Sequence, residues 1–217
     1  GEQLLRDRID DAVDSFTRAI AMKPDLKDAF NHRGNLMMEH QHFAEAASDF
    51  EQLLKLKPDF DYVRGNMVHC RMHCCDWHDY ELELPKIESA LRAGERSVTP
   101  FPFQAMSGSP SDLRKCSEIF GSDVYPAKTP PLWAGQRYDH KKIRVGYVAG
   151  EFREQATSYL TVGVFEHHDK SKFEIYAIDN GLNDGGPTRK RLEAAFDGFV
   201  NIGKLTDDAA ALEIRRR

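Results

Sequence analysis

The sequence predicts an α + α/β chain, in which paired helices are followed by the first strands of a parallel sheet. Three observations predict it. A stretch of the first third recurs after 34 residues. A segment rich in proline and glycine follows it. Beyond that segment the apolar residues change from the three- and four-residue spacing of helices to short β-branched runs.

The repeat has the 34-residue period of tetratricopeptide helix pairs. In that architecture, small residues lie where two helices touch, and a proline ends the second helix. The matching residues are Ala12 and Ala46, Phe16 and Phe50, Ala19 and Leu53, and Pro24 and Pro58. Agreement between several residue types indicates a true structural repeat.

The repeat frame makes Gly34 and Ala46 the close-contact positions, with Phe50 and Leu53 among the residues that fill the space between helices. It also starts the chain part-way through the opening helix of a first pair, so the array is expected to extend upstream. Residues 62–93 depart from the pattern. They are predicted to form a degenerate pair that caps the stack.

Polar residues on the first helix of each pair predict a groove that binds extended peptides. Side-chain amides there can hydrogen-bond a peptide backbone, so the predicted partners are protein or peptide substrates. An alternative is that these residues are ordinary solvated polar surface. The residues are Asn31, His32 and Asn35 of the second unit, and Asn66 and His69 of the third.

Histidines and cysteines also cluster between positions 69 and 78, and His69 with His73 and Cys70 with Cys74 have helical i, i+4 spacing. Structural zinc sites usually draw their ligands from separated elements, whereas these residues share one or two helical turns. Cysteine is also a common small core residue. We therefore predict no metal site.

The amino-acid composition changes after residue 95. Prolines and glycines punctuate the following segment, around one short helical stretch at 111–120, which indicates a connector that packs along a surface. The predicted domains are therefore repeats at 1–95, a connector at 96–140 and an α/β portion at 141–217.

Strands are predicted at 142–149, 173–178 and 199–202, with helices at 157–167, 189–196 and after Thr206. Strands that alternate with helices form a parallel, doubly wound sheet. Ligands of such sheets bind beyond the carboxyl ends of the strands, which here is the loop at 150–156. Thr157 and Ser158 are candidate substrate-binding residues there. Capping of the following helix is the preferred interpretation of the same two hydroxyls.

The run Lys142–Leu160, KIRVGYVAGEFREQATSYL, resembles the start of the catalytic region in SPINDLY and O-GlcNAc-transferase-like enzymes. The turn at 184–189 and the proline-rich connector are similar too, so the resemblance covers essentially the whole chain. It implies a Rossmann-like lobe of a GT-B glycosyltransferase, of which only the opening portion is present. The implied activity is sugar transfer from a nucleotide donor to Ser or Thr of proteins, with the repeats selecting substrates.

Gln155 occupies the position at which well-known members of that family carry a histidine. The resemblance makes it the candidate catalytic residue. A glutamine amide cannot take up a proton at neutral pH, so Gln155 is expected to orient or hydrogen-bond a substrate rather than act as a base. This departure keeps open an alternative, a non-catalytic repeat scaffold that binds extended peptides.

The family's donor-binding residues lie mostly beyond residue 217. The resemblance therefore implies that this portion binds no cofactor by itself, while the complete enzyme uses a UDP-sugar. The expected sugar is N-acetylglucosamine, with fucose as the alternative, because SPINDLY relatives differ in their donor.

Composition excludes several other classes of protein. The net charge of −5 offers no basic surface for nucleic acid or acidic lipid. No apolar run is long enough to span a membrane, and the first ten residues do not resemble a signal peptide. The four cysteines lack the spacing of a secreted disulfide framework. A cytoplasmic protein with reduced thiols is predicted.

Overall fold

The computed structural model describes residues 2–127 and 130–217, with side chains described from residue 8 onwards. The chain forms two compact units, residues 1–128 and 129–217. The first is helical and the second is a parallel α/β unit, which confirms the predicted change of structural class.

The first unit contains seven helices within the described residues. They are α1 (Glu2–Met22), α2 (Lys27–Glu39), α3 (Phe43–Leu56), α4 (Val63–His73), α5 (Tyr80–Arg92), α6 (Pro100–Gln104) and α7 (Pro110–Val124). Their apolar faces share one core, in which Phe50, Leu53 and Ile87 are fully buried.

Gly34 is the close-contact position between α2 and α3, as the repeat predicts. A Cβ atom at Gly34 would lie 2.7 Å from Cε1 of Phe50, which is closer than two carbon atoms can pack. Ala46 and Phe50 are both fully buried beneath it. The small residue on α2 therefore makes room for the large ring on α3.

The third unit follows the second at an offset of 31 rather than 34 residues. The tripeptide Arg33-Gly34-Asn35 recurs as Arg64-Gly65-Asn66. Gly65, however, meets a different neighbour, because a Cβ atom there would lie 2.5 Å from Cγ2 of Val98. The Gly65 N–H also donates to the Ser97 carbonyl at 3.0 Å. Residues after α5 thus take the place that Phe50 has in the second unit.

The predicted connector at 96–140 differs from the structure in its first part. Residues 98–120 supply buried core to the helical unit instead of lying along its surface, and Val98, Phe103 and Cys116 are each at most 2% exposed. The physical reason at the start of this segment is the space beside Gly65, which Val98 fills. The compact units therefore divide at 128/129, while the three-part division of the chain stays a prediction.

Helix α1 also departs from the repeat. The expected turn between a first helix pair would fall at residues 6–8, which correspond to the turn at 40–42, yet α1 is continuous from Glu2 to Met22. None of the described helices combines the length and apolarity that crossing a membrane requires.

The four cysteines fall into two classes. Burial in the core raises the pKa of the Cys70 thiol to about 12 and that of Cys116 to about 11. Cys74 and Cys75 are exposed just after α4. The thiolate is the reactive form, so burial protects the first pair twice, by limiting access and by suppressing ionisation.

We therefore expect iodoacetamide to alkylate Cys74 and Cys75 quickly in the native chain, at a pH of about 8.5, the ordinary pKa of a thiol. Cys70 and Cys116 should react only after denaturant is added. Peptide mass spectrometry at successive times measures this, and a Cys74→Ser/Cys75→Ser double variant is the control. Rapid native labelling of Cys70 would contradict the packing described above.

The second unit contains three strands and three helices within the described residues. They are β1 (Ile143–Ala149), α8 (Ala156–Glu166), β2 (Phe173–Asp179), α9 (Pro187–Ala195), β3 (Gly198–Asn201) and α10 (Asp207–Arg215). These bounds agree closely with the predicted strands and helices. Thr206 caps α10 through its hydroxyl, which accepts from the Ala209 N–H.

The strands are parallel, in the order β1-β2-β3, with Val145 beside Ile175 and Ala177 beside Phe199. Helices α8 and α9 cover the face that carries Ile175 and Ala177, both fully buried. Each described strand is added on the same side of the one before it. A doubly wound sheet also has strands on the other side of β1, and the described strands do not test that part of the prediction. The central strand β2 ends in a buried aspartate, Asp179, which leads to the candidate site.

Candidate functional site

Two loops meet at the carboxyl edge of the sheet. The β1–α8 loop is residues 150–155, and the β2–α9 loop is residues 180–186. The Asn180 N–H donates to the Ala149 carbonyl at 3.2 Å. A Cβ atom at Gly181 would overlap the Gly150 carbonyl oxygen, so only glycine permits this approach. The loop predicted to face a ligand therefore lies at the expected edge, packed against its neighbour.

A buried ion pair holds this edge together. Asp179 is fully buried, Arg189 is 4% exposed, and Arg189 Nη1 lies 2.6 Å from Asp179 Oδ2. The same Nη1 donates to the Phe152 carbonyl at 3.1 Å. The guanidinium also lies 4.1 Å from the centroid of the Phe199 ring, a cation–π distance. One arginine thus connects β2, β3 and the β1–α8 loop.

Glu154 links the two loops at the surface. Its N–H donates to Asp184 Oδ2 at 2.8 Å, and its carboxylate accepts from the Thr188 N–H at 2.6 Å. The Tyr159 hydroxyl donates to the other carboxylate oxygen at 2.6 Å. These bonds favour the ionised carboxylate and hold the pKa of Glu154 below its ordinary 4.5, the Tyr159 bond having the largest effect.

This shift predicts a pH dependence of the Glu154 contact between the loops. Because the folded-state pKa is lowered, the contact is complete above pH 4.5 and is lost as the pH falls through the lower, folded-state pKa. We expect the carboxyl carbon of Glu154 to titrate by NMR below 4.5 in the native chain. Tyr159→Phe should move the midpoint upward, because it removes the hydrogen bond with the largest effect. An unchanged midpoint would contradict the hydrogen bond.

Gln155 is the first residue outside α8, on its N-terminal side, and is partly exposed. Its backbone is extended, with φ −153° and ψ 157°, and its side chain makes no capping hydrogen bond. Instead its Oε1 accepts from Arg153 Nε at 3.1 Å. The candidate catalytic residue is therefore at the loop surface, where a ligand can reach it.

Thr157 and Ser158 do not cap α8, so the preferred interpretation of these residues is wrong. Gln155 occupies the N-cap position, although its side chain makes no capping hydrogen bond. Ser158 is 2% exposed, and its hydroxyl donates to the Glu151 carbonyl, a bond that fastens the β1–α8 loop to the helix. This burial leaves Ser158 unsuited to direct substrate contact. Thr157 is exposed, and its role in binding stays a prediction.

The predicted groove residues of the first unit are brought together in a row. Asn35 Nδ2 donates to Asn31 Oδ1 at 3.2 Å, and Asn66 Nδ2 to Asn35 Oδ1 at 3.5 Å. His32 stacks on Phe16 of α1, and His69 packs edge-on against His73.

Among the described residues, no group of three or more His, Cys, Asp or Glu is arranged to hold a metal ion.

Sequence reasoning missed Asp179, Arg189 and Glu154. Asp179 had a recognisable signal, since it directly follows an apolar strand and precedes Asn-Gly. Arg189 had none. It lies on a helix, ten positions from its partner, where an arginine is ordinarily solvated.

Residues 127–216 match the family model of glycosyl transferase family 41. Over 160 residues the chain is 26% identical to the Arabidopsis thaliana protein named "Probable UDP-N-acetylglucosamine--peptide N-acetylglucosaminyltransferase SEC", covering 67% of this chain. Over 153 residues it is 26% identical to a UDP-N-acetylglucosamine--peptide N-acetylglucosaminyltransferase of Caenorhabditis elegans, covering 64% of this chain. These matches confirm the resemblance to O-GlcNAc-transferase-like and SPINDLY-like proteins.

The fold agrees with a solved structure, a mutant O-GlcNAc transferase of Thermobaculum terrenum, at a TM-score of 0.54 and 21% identity over 94% of this chain. The chain spans 16% and 13% of the two curated relatives, and 40% of that solved chain.

Proposed function

We propose, from the match of residues 127–216 to glycosyl transferase family 41, that this chain is part of a protein O-glycosyltransferase. The complete protein transfers a sugar from a nucleotide donor to Ser or Thr hydroxyls of proteins. N-acetylglucosamine from UDP is the expected donor group, in line with the names of the two curated relatives.

The observation that supports this most is the loop at the carboxyl edge of the sheet. It combines the position at which parallel sheets bind ligands with a rigid foundation, the buried Asp179–Arg189 pair. Gln155 and Arg153 are partly exposed on it. The Gln155 side chain makes no capping hydrogen bond, and no described residue accepts from the first N–H groups of α8. These N–H groups can therefore bind an anionic or carbonyl-rich substrate.

The helical unit supplies the acceptor side of the proposal. Asn31 and Asn35 are partly exposed, and their amide groups suit the backbone of an extended peptide, whereas Asn66 is buried and donates to Asn35 from beneath. A peptide held by its backbone is selected only loosely by its sequence.

The test is transfer of radiolabelled sugar by the full-length protein to acceptor proteins, with UDP-N-acetylglucosamine and GDP-fucose in parallel. Wild type should incorporate label from one donor, and Gln155→Ala should incorporate less. Gln155→His restores the histidine that the family resemblance places here and should remain active. No incorporation by any form, with either donor, would sink the proposal.

We further propose that the chain of residues 1–217 alone binds no nucleotide sugar with useful affinity. Calorimetry with the nucleotide sugar should give no saturable heat. Saturable micromolar binding would contradict this.

A peptide-binding scaffold without transferase activity is the second candidate. The amide row and the absence of a proton-accepting group at Gln155 favour it. Peptide binding that is lost in Asn35→Ala, in a protein that transfers no sugar in the assay above, would establish it.

A further inference from the structure

The contact between Arg153 and Gln155 determines which way the Gln155 amide faces. Amide oxygen and nitrogen have nearly the same shape, so their assignment usually rests on the hydrogen-bond network. Here the network is decisive. Arg153 Nε lies 3.1 Å from Gln155, and a guanidinium carries only N–H donors. The atom that faces it has to be the carbonyl oxygen.

The amide nitrogen of Gln155 is therefore the group left for a ligand. Within residues 2–127 and 130–217, Nε2 of Gln155 makes no hydrogen bond that competes for its two N–H groups. The Gln155 side chain makes no hydrogen bond to the first turn of α8 and instead contacts Arg153 of the loop. An unengaged donor pair is thus presented at the partly exposed site.

We propose that Gln155 donates a hydrogen bond to an oxygen atom of the substrate, and that Arg153 is the positioning residue that keeps the amide in this orientation. The inference rests on the proposed transferase function. It adds that the group facing Gln155 is a hydrogen-bond acceptor. A phosphate oxygen of the nucleotide sugar and an oxygen of the acceptor peptide both have this chemistry.

Gln155→Glu separates this role from a structural one in the full-length protein. The glutamate keeps, and strengthens, the contact with Arg153 but has no N–H to donate. We expect kcat/KM to fall on the order of tenfold or more, as for loss of one hydrogen bond, with no loss of thermal stability. Wild-type activity in this variant would overturn the proposal.

Variants of Arg153 test the positioning role. Arg153→Glu replaces a donor by an acceptor, so the amide should turn its N–H groups toward residue 153 and its oxygen toward the substrate. Arg153→Ala leaves the amide free to rotate and should cost less, while Arg153→Lys should retain part of the activity because it still donates. Equal losses in the Ala and Glu variants would contradict the idea. Arg114→Ala, which removes an exposed arginine paired with Glu118, is the matched control.

The Michaelis constants identify which oxygen is bound. A rise in KM for the nucleotide sugar alone assigns the phosphate, and a rise for the peptide alone assigns the acceptor. Either result in Gln155→Glu supports a donor role for Gln155, whereas kcat and both KM values unchanged in this variant would refute it.

A readout without activity keeps this inference separate from the proposed function. In ¹⁵N spectra of the chain, the Arg153 Nε–H should be protected from exchange and should lose that protection in Gln155→Leu. The Gln155 side-chain amide signals should shift more in Arg153→Glu than in Arg153→Ala. If these signals do not respond, the orientation argument fails even in an active transferase. If they respond in a protein that transfers no sugar, only the proposed function fails.

Discussion

Replacing Arg189 by alanine is expected to destabilise the α/β unit by about 3–5 kcal/mol. The substitution leaves the Asp179 side chain fully buried without the guanidinium that lies 2.6 Å from it. It also removes the donor to the Phe152 carbonyl. Urea denaturation followed by circular dichroism measures the loss as a lower midpoint.

Arg191→Ala is the matched control on the same helix. Arg191 pairs with Glu166 at the surface and is 56% exposed, so its loss should cost much less stability than the loss of Arg189. A double variant, Asp179→Leu with Arg189→Met, removes both charges and should recover most of the stability, because two apolar residues avoid the desolvation of the pair. Equal effects of Arg189→Ala and Arg191→Ala would contradict the buried pairing.

Arg189→Ala should also loosen the β1–α8 loop before the α/β unit unfolds. Arg189 bridges the Phe152 carbonyl of this loop and Asp179 of β2, so its absence removes one of the contacts that hold the loop while the sheet hydrogen bonds persist. Hydrogen exchange at residues 150–155 should then accelerate more than exchange at Ile175 in β2. This result would show that the ion pair holds the candidate site, and does not merely stabilise the fold.

Strand positions in the α/β unit were predictable because their signal is local. Short β-branched runs bounded by glycine and asparagine specify the three strands, and parallel pairing then places the β1–α8 loop at the ligand edge. The side chains that support that loop were not predictable. The partnership of Asp179 with Arg189 depends on how α9 crosses the sheet, which no spacing rule encodes.

The end of the repeat array shows a different limit. At a fixed 34-residue offset the third unit is visible only as a departure from the repeat, although Arg-Gly-Asn recurs at an offset of 31. Gly65 also has no aromatic partner in α5, since position 81, sixteen residues on as Phe50 is from Gly34, is an exposed glutamate. The missing volume is supplied by Val98, from a segment whose prolines predicted only a surface connector. The prolines of this segment predicted a surface connector, but tertiary packing against Gly65 buries Val98 in the core.

Phe50→Ala is expected to destabilise the helical unit by about 3–5 kcal/mol, because it empties a fully buried aromatic site between α2 and α3. Gly34→Ala attacks the same contact from the other side. Its Cβ would lie 2.7 Å from the Phe50 ring, and overpacking of this kind costs about 1–3 kcal/mol. Both values are measured by urea denaturation.

The two substitutions should not be additive, and their coupling tests the repeat interface itself. Once the ring is gone, an alanine at position 34 has room, and the helix gains about 0.5–1 kcal/mol from losing a glycine. We expect a coupling of about 1.5–4 kcal/mol in the double-mutant cycle, because the overpacking cost is relieved and the helix gain replaces it. Gly121→Ala in α7, where a Cβ meets nothing within 4 Å, is the control and should be mildly stabilising. Additive effects of Gly34→Ala and Phe50→Ala would mean that the glycine does not make room for the ring, and the helix pair would then need another explanation for its small residue.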